Sequence, residues 1–127
     1  MIVVTRFEVP EGEAAAFLPK ARAALSAFAA RPGFVRGRVG RAADDPGAWV
    51  LTTEWDGVGA YRRSLSAYDV KVDAAPLLGL GRDEPSAFEV LFAEDVAQPG
   101  VALPSRRAAD AGTSRIGESS GPAVSDL

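Results

Sequence analysis

The amino-acid sequence predicts an α+β domain in which one antiparallel sheet of four strands carries helices on a single face. Two observations predict it. Apolar, β-branched or alternating runs recur four times within residues 1–94, and the apolar period switches to a helical one after the first run and again after the third. The resulting order, β-α-β-β-α-β, is the ferredoxin-like split arrangement. With 127 residues, 47% apolar and 24% charged, the chain suits one soluble domain and a tail.

The first strand is MIVVTRFEV, residues 1–9, broken by PEGE, which supplies acidic residues to the first turn of a helix. That helix spans residues 13–30, where Phe17, Leu18, Ala21, Leu25 and Phe28 recur at helical spacing. Pro19 lies inside it and is expected to kink it, because proline lacks an N–H and crowds the preceding turn. RPG ends the helix. FVRGRVGR, residues 34–41, is the second strand, AADDPGA the turn, and WVLTTEW, residues 49–55, the third strand. Asp56 is placed to cap a second helix over residues 57–67, with Val58, Tyr61 and Leu65 on one face. A short helical piece over 70–78 follows, interrupted at Pro76, and SAFEVLFAE, residues 86–94, is the fourth strand.

Residues 1–95 therefore make the folded domain. Residues 96–127 are rich in Gly, Pro, Ser and Ala without sustained periodicity, and are expected to be a disordered tail or an extended arm packed against a neighbour. The runs IVV and FEVLF place apolar residues on both faces of their strands, whereas helices on one side cover only one face. A second copy of the sheet is the simplest cover for the other, so a homodimer is expected.

Absences narrow the chemistry. The chain has no cysteine, hence no disulfide, thiolate nucleophile or thiolate metal site, and no histidine, the commonest general base, metal ligand and haem ligand. Asparagine is missing too. No carboxylate spacing suggests a metal site, so neither metal nor other cofactor is expected. A net charge of -3 argues against nucleic acid as a partner, and VRGRVGR is balanced at once by ADD. No apolar run approaches the roughly 20 residues that span a bilayer, and the start does not read as a signal peptide, so no membrane association and a cytoplasmic location are expected.

LTTEWDGVGAYRRSLSAYD, residues 51–69, joins the third strand to the second helix and holds Trp55, Tyr61 and Tyr68. Together with RPGF before the second strand and the element order, TEWDGVGAYRRSL resembles the antibiotic biosynthesis monooxygenase family over residues 1–94. The best local mark is a third-strand Trp followed six residues later by Tyr, here Trp55 and Tyr61. The resemblance implies a dimeric α+β barrel with an apolar pocket between sheet and helices. In some members it implies oxygenation of quinol or anthrone-type substrates by dioxygen without metal or flavin. Anthrone-oxidising members carry an Asn four residues before the Trp, where Leu51 stands, and an Arg that would fall near Ala75. Haem-degrading relatives need a His about ten residues after the Trp; Leu65 occupies that place, which argues against haem degradation by that ligand.

The pocket-lining candidates are Trp55, Tyr61, Tyr68, Leu51, Thr53, Arg36 and Arg38. Trp49, Leu51, Thr53 and Trp55 share one strand face by period two, as core, as pocket wall, or as both. Tyr61, Leu65 and Tyr68 form an i, i+4, i+7 stripe whose phenols need partners when buried. Arg36 and Arg38 point the same way from the second strand, either to hold a carboxylate or phenolate or to be solvated or paired across a dimer. Glu54, Asp56 and Asp69 are the nearest carboxylates, but none is singled out as a base and the catalytic residues stay unassigned. The functional expectation is a cofactor-independent monooxygenase-like enzyme acting on an aromatic, quinol or polyketide-type small molecule. A non-catalytic binding or assembly dimer on the same scaffold, and a polyketide cyclase or isomerase, remain open beside it.

Overall fold

The computed structural model describes residues 1–105 and two short strands beyond them, Thr113–Arg115 and Glu118–Ser120. Strand β1 (Ile2–Glu8) leads through a 3-10 turn, Glu11–Glu13, into helix α1 (Ala14–Ala29). Strands β2 (Phe34–Arg41) and β3 (Ala48–Trp55) follow, then helices α2 (Val58–Ser64), α3 (Tyr68–Asp73) and α4 (Ala75–Leu78), and strand β4 (Ala87–Phe88). The sheet is antiparallel in the order β2-β3-β1-β4, the expected ferredoxin-like arrangement.

Burial alternates strictly along β3, with Trp49, Leu51, Thr53 and Trp55 buried, as a half-covered strand demands. The register lays Val3, Thr5 and Phe7 of β1 beside Thr53, Leu51 and Trp49, so one face of the two central strands is continuous core. Helix α1 covers that face with Phe17, Ala21, Ala24, Ala27 and Phe28, and α2 and the segment after it add Ala60, Tyr61, Val70, Ala74 and Leu77. Ala21 and Ala24 are fully buried, and their small side chains let α1 approach the sheet closely. At Gly37 a Cβ would collide with Leu25 Cδ1, so a side chain at this point of β2 would push Leu25 aside beneath the helix. Helix α1 continues through Pro19. The carbonyl of Ala15, four residues earlier, loses its intrahelical donor there, and both residues are exposed, where water replaces it.

Two elements differ from the sequence expectation. The second helix ends earlier than residue 67 and the following helical piece starts earlier than residue 70: α2 ends at Ser64, Ala67 is extended (φ -70, ψ 141), and α3 begins at Tyr68. The fourth strand is shorter in the sheet. Ile2 pairs with Phe88 and is the first residue of β1, so an antiparallel strand running past Phe88 has no partner left. The remaining apolar run turns away and forms a separate hairpin, β5 (Phe92–Asp95) with β6 (Gln98–Ala102), which crosses the expected boundary between domain and tail. Beyond residue 105 the expected tail, apart from the two short strands, lies outside the described residues.

Candidate functional site

The junction between β3 and α2 is built around Gly33. This glycine has φ +87, and a Cβ on it would collide with Ala60 Cβ, so only glycine lets α2 close against the turn after α1. Its carbonyl accepts a hydrogen bond from the Asp56 N–H at 2.8 Å, fixing where the chain leaves β3. The RPGF motif is thus the abutment for the strand-to-helix junction. Asp56 does not cap α2: Gly57 holds that position and no side chain caps the helix. Glycine there avoids a side chain but offers no oxygen to the first-turn N–H groups.

Trp55, 2% exposed, lies at the centre of this corner. Its ring is met edge-on by Phe34 at 5.4 Å and Phe28 at 5.8 Å, and by the tilted ring of Tyr61 at 5.5 Å. The indole N–H donates to Thr53 Oγ1 at 2.9 Å, within one strand face. Tyr61 is 1% exposed, and its main-chain carbonyl accepts from Ser64 Oγ at 2.5 Å. The Tyr61 hydroxyl has no partner among the described residues. Burial pushes its phenol up, so at neutral pH it is a neutral hydrogen-bond donor and not a phenolate base.

The sequence candidates separate into three places. Trp55, Tyr61, Thr53 and Leu51 come together on the helix-covered face, with Leu51 between Thr5 and Val39 in the register. Tyr68 stands apart, 77% exposed at the start of α3, because the break after Ser64 ends the stripe it would share with Tyr61 and Leu65. Arg36 and Arg38 pair with Glu54 and Thr52 in the register and lie on the opposite face, where Arg36 Nε is 3.7 Å from Glu54 Oε1. Glu54 is therefore turned away from Trp55, and Asp56 and Asp69 are exposed. Among the described residues no group of three or more acidic side chains could hold a metal ion.

Two contributors were not legible as site residues. Phe34 should share the Arg36 face by strict alternation, but a bulge at Val35 shifts the register and turns Phe34 toward Trp55. Phe28 reads as helical core and becomes a wall only because α1 crosses the end of β3. Arg31, in the turn after α1, keeps its Nε buried without a partner among the described residues. Arg31 and Phe34 lie within RPGF, but that motif does not tell which way their side chains turn, and no local motif announces Phe28.

A second aromatic group occupies the other end of β3. Phe17 meets Phe7 at 5.1 Å and Trp49 at 5.2 Å, and the Arg41 guanidinium lies 5.4 Å from the Trp49 ring centroid. Beside it is an open groove of about 300 Å³, lined by Phe7, Val9, Phe17, Lys20, Leu77 and Leu80 among others. Neither Trp55 nor Tyr61 borders that groove.

Residues 1–71, more than half of the chain, match the family model described as antibiotic biosynthesis monooxygenase. The chain belongs to the antibiotic biosynthesis monooxygenase family. Solved structures place the same fold beside it. SnoaB, described as a cofactor-independent oxygenase from Streptomyces nogalater, is 24% identical, with 87% of this chain and 96% of SnoaB covered at a TM-score of 0.56. A proposed antibiotic biosynthesis monooxygenase from Deinococcus radiodurans is 20% identical, covering 76% and 98% at a TM-score of 0.61. PA3566 from Pseudomonas aeruginosa is 13% identical, covering 70% and 92% at 0.55. No curated protein matches the sequence. Family membership covers β1 through the start of α3, so the Gly33 abutment, Trp55 and Tyr61 all lie within the matched part.

Proposed function

We propose that the protein is a monooxygenase-type enzyme that acts on a phenolic, quinol or anthrone-like aromatic without metal or flavin. The observation that carries this reading is the Tyr61 hydroxyl, buried and unpartnered against the Trp55 ring. A buried donor without an acceptor costs about 1–3 kcal/mol, and a ligand oxygen is a natural acceptor for it. Family membership and the fold shared with SnoaB, described as a cofactor-independent oxygenase, support the same reading.

In this reading the substrate supplies the electrons. The ring methylene of an anthrone-type substrate loses a proton, and the carbanion reacts with dioxygen. The methylene becomes a carbonyl that keeps one oxygen atom. The other oxygen leaves as water, taking both hydrogens of the methylene with it in the overall balance. Trp55 offers a flat apolar wall, and Tyr61 donates to the oxyanion that develops on the ring. The inner faces of β1, β2 and β3 carry no acidic side chain among the described residues, so this reading takes water as the base and a substrate acidic enough to ionise with it. Entry requires displacement of a side chain, and Phe34 is the candidate. It is half-buried, and with Leu25 it fills the space left open above side-chain-free Gly37. Dioxygen uptake against a panel of anthrones and dihydroquinones tests the proposal. One equivalent of oxygen consumed per carbonyl formed is the expected result; no uptake across the panel would overturn it.

A non-catalytic binder on the same scaffold is the second reading. It is favoured by Leu51 and Ala75, apolar at places where the family resemblance implies Asn and Arg, and by rings in direct contact around Trp55. Calorimetric binding of such aromatics without turnover would select it.

The uncovered sheet face supports a further element of the proposal. Ile2, Val4, Val50 and Phe88 lie there with Arg36, Arg38, Glu54 and Thr52. A second copy laid across this face would bury the apolar strip and leave the arginines to pair at its edge. Light scattering should give a dimer at micromolar concentration, and Val50→Glu should dissociate it; a monomeric wild type would count against this arrangement.

A further inference from the structure

The open groove beside the Trp49 end is assembled from β1, α1 and α4. Phe7 and Val9 come from the end of β1 and the residue after it, Phe17 from α1 and Leu77 from α4. All four are buried, so they form its bottom. Along α1, Glu13, Ala16, Phe17 and Lys20 recur at i, i+3, i+4 and i+7, which turns one face of the helix toward the groove. Leu80 stands on the rim, 68% exposed, with its N–H donating to the Leu77 carbonyl at 2.9 Å. At about 300 Å³ the groove reaches the size of a small-molecule site. Phe7 and Phe17 already meet edge-on at 5.1 Å, an arrangement that a third flat ring can extend.

Charge selects the occupant. Three ionic side chains border the groove, Glu8, Glu13 and Lys20. The two carboxylates are answered within the chain. Glu8 Oε1 lies 3.9 Å from Arg82 Nη1, and Glu13 stands at the N-terminal end of α1, where the helix dipole favours negative charge. Lys20 lies in the second turn of α1 and forms no ion pair with a described residue. The charge left uncompensated at the groove is therefore positive. We propose that this groove binds a small aromatic carboxylate, with its rings over Phe7 and Phe17 beside Leu80 and its carboxylate at Lys20. Neither Trp55 nor Tyr61 borders the groove, so this site is separate from the corner around Trp55 and does not depend on what that corner does.

The test is calorimetric titration of the full chain at pH 7 and low salt with three probes of one shape: 2-naphthoate, neutral 2-naphthamide and cationic 2-naphthylmethylamine. Wild type should bind them in that order of affinity. The step from amide to carboxylate should be about threefold, the size that an exposed ion pair supplies, and should fade as salt is added. Lys20→Gln should bring 2-naphthoate down to the level of 2-naphthamide and leave 2-naphthamide unchanged. Ala16→Phe sets a ring into the groove from the same helix face and should abolish binding of all three. Both positions are exposed on α1, so neither change touches the core. No binding of 2-naphthoate, equal affinity for it and 2-naphthamide, tighter binding of the amine, or binding that survives Ala16→Phe would overturn the proposal. So would a dimer in light scattering that Ala16→Phe dissociates, because a second copy would then be what fills the groove.

Discussion

The two ends of β3 use the same residue types to opposite effect. At one end Trp49 packs on Phe17 beneath the Arg41 guanidinium, next to an open groove. On the outer face near this end Arg6 pairs with Glu84, and Arg82 with Glu8 and Glu84. At the other end Trp55 is enclosed by Phe28, Phe34 and Tyr61, and the Tyr61 hydroxyl is buried there without a partner among the described residues. The open groove lies at the Trp49 end, where the unpartnered buried atom is an indole N–H, whereas the enclosed Trp55 end buries the unpartnered hydroxyl of Tyr61. Aromatic content does not tell a site from a core; the disposition of polar atoms around it does.

The largest effects expected are those of the two tryptophans. Trp55→Ala should cost about 4 kcal/mol of unfolding free energy, since it removes a fully buried ring in contact with three others. Trp49→Ala should cost less, roughly 3 kcal/mol, because Trp49 is 8% exposed and its Nε1 is buried without a partner, so truncation also relieves an orphaned donor. Equal losses in chemical denaturation would mean that the unpaired indole N–H costs nothing and that the two ends do not differ in this respect.

Gly33→Ala comes next. The substitution places a Cβ at φ +87 and drives it into Ala60 Cβ, which should cost about 2–3 kcal/mol and loosen α2 from the turn. Because Tyr61 rides on α2, oxygen uptake or aromatic binding should fall along with stability. The same change at Gly57, where nothing lies within 4 Å of a built Cβ, is the control and should be nearly silent.

Tyr61→Phe is smaller in energy and more telling. It removes a hydroxyl that has lost its water and gained no partner, so the protein should become more stable by about 1 kcal/mol. If Tyr61 donates to the substrate, kcat/KM should fall by roughly 10²-fold in the same variant. Lower stability would show that the hydroxyl is bonded in the folded protein. Unchanged turnover would show that it is core alone.

Much of this architecture could be read from the sequence because the code behind it is local. The alternation in WVLTTEW fixes which side of β3 is buried, and the helical spacing of Phe17, Ala21 and Phe28 fixes the covering face of α1. What was not legible depends on long-range geometry. The bulge at Val35 reverses the side taken by Phe34, and the break after Ser64 sends Tyr68 outward. Where β1 begins decides how much of the fourth apolar run can stay in the sheet. The seven candidate site residues thus resolve into four on the inner face, two on the outer face and one exposed. Arg31 opens the RPGF motif, yet the burial of its Nε depends on how the turn packs and could not be read from that motif.

The smallest effect separates the two ends by pH. Arg6 makes a two-pronged contact with Glu84, Nε to Oε2 at 2.7 Å and an Nη to Oε1 at 2.8 Å. These hydrogen bonds hold the Glu84 carboxyl below the usual glutamate range. A carboxyl depressed on folding contributes stability that is present above its unfolded value and is lost as pH falls through the folded one. Wild type should therefore exceed Glu84→Gln slightly at pH 7, and the gap should close as pH drops below the ordinary glutamate value of 4.5. Added salt should narrow it too, because the pair is solvent-exposed. Tyr61 works in the opposite direction: its phenol is raised on folding, so its contribution is intact below the unfolded value of 10 and is lost as pH climbs toward the raised one. Stability curves of wild type, Glu84→Gln and Tyr61→Phe across pH should place the acid limb at the paired edge near Trp49 and the alkaline limb at the unpaired corner around Trp55. An alkaline limb that survives Tyr61→Phe would break the assignment, because some other group would then be the one that burial holds neutral.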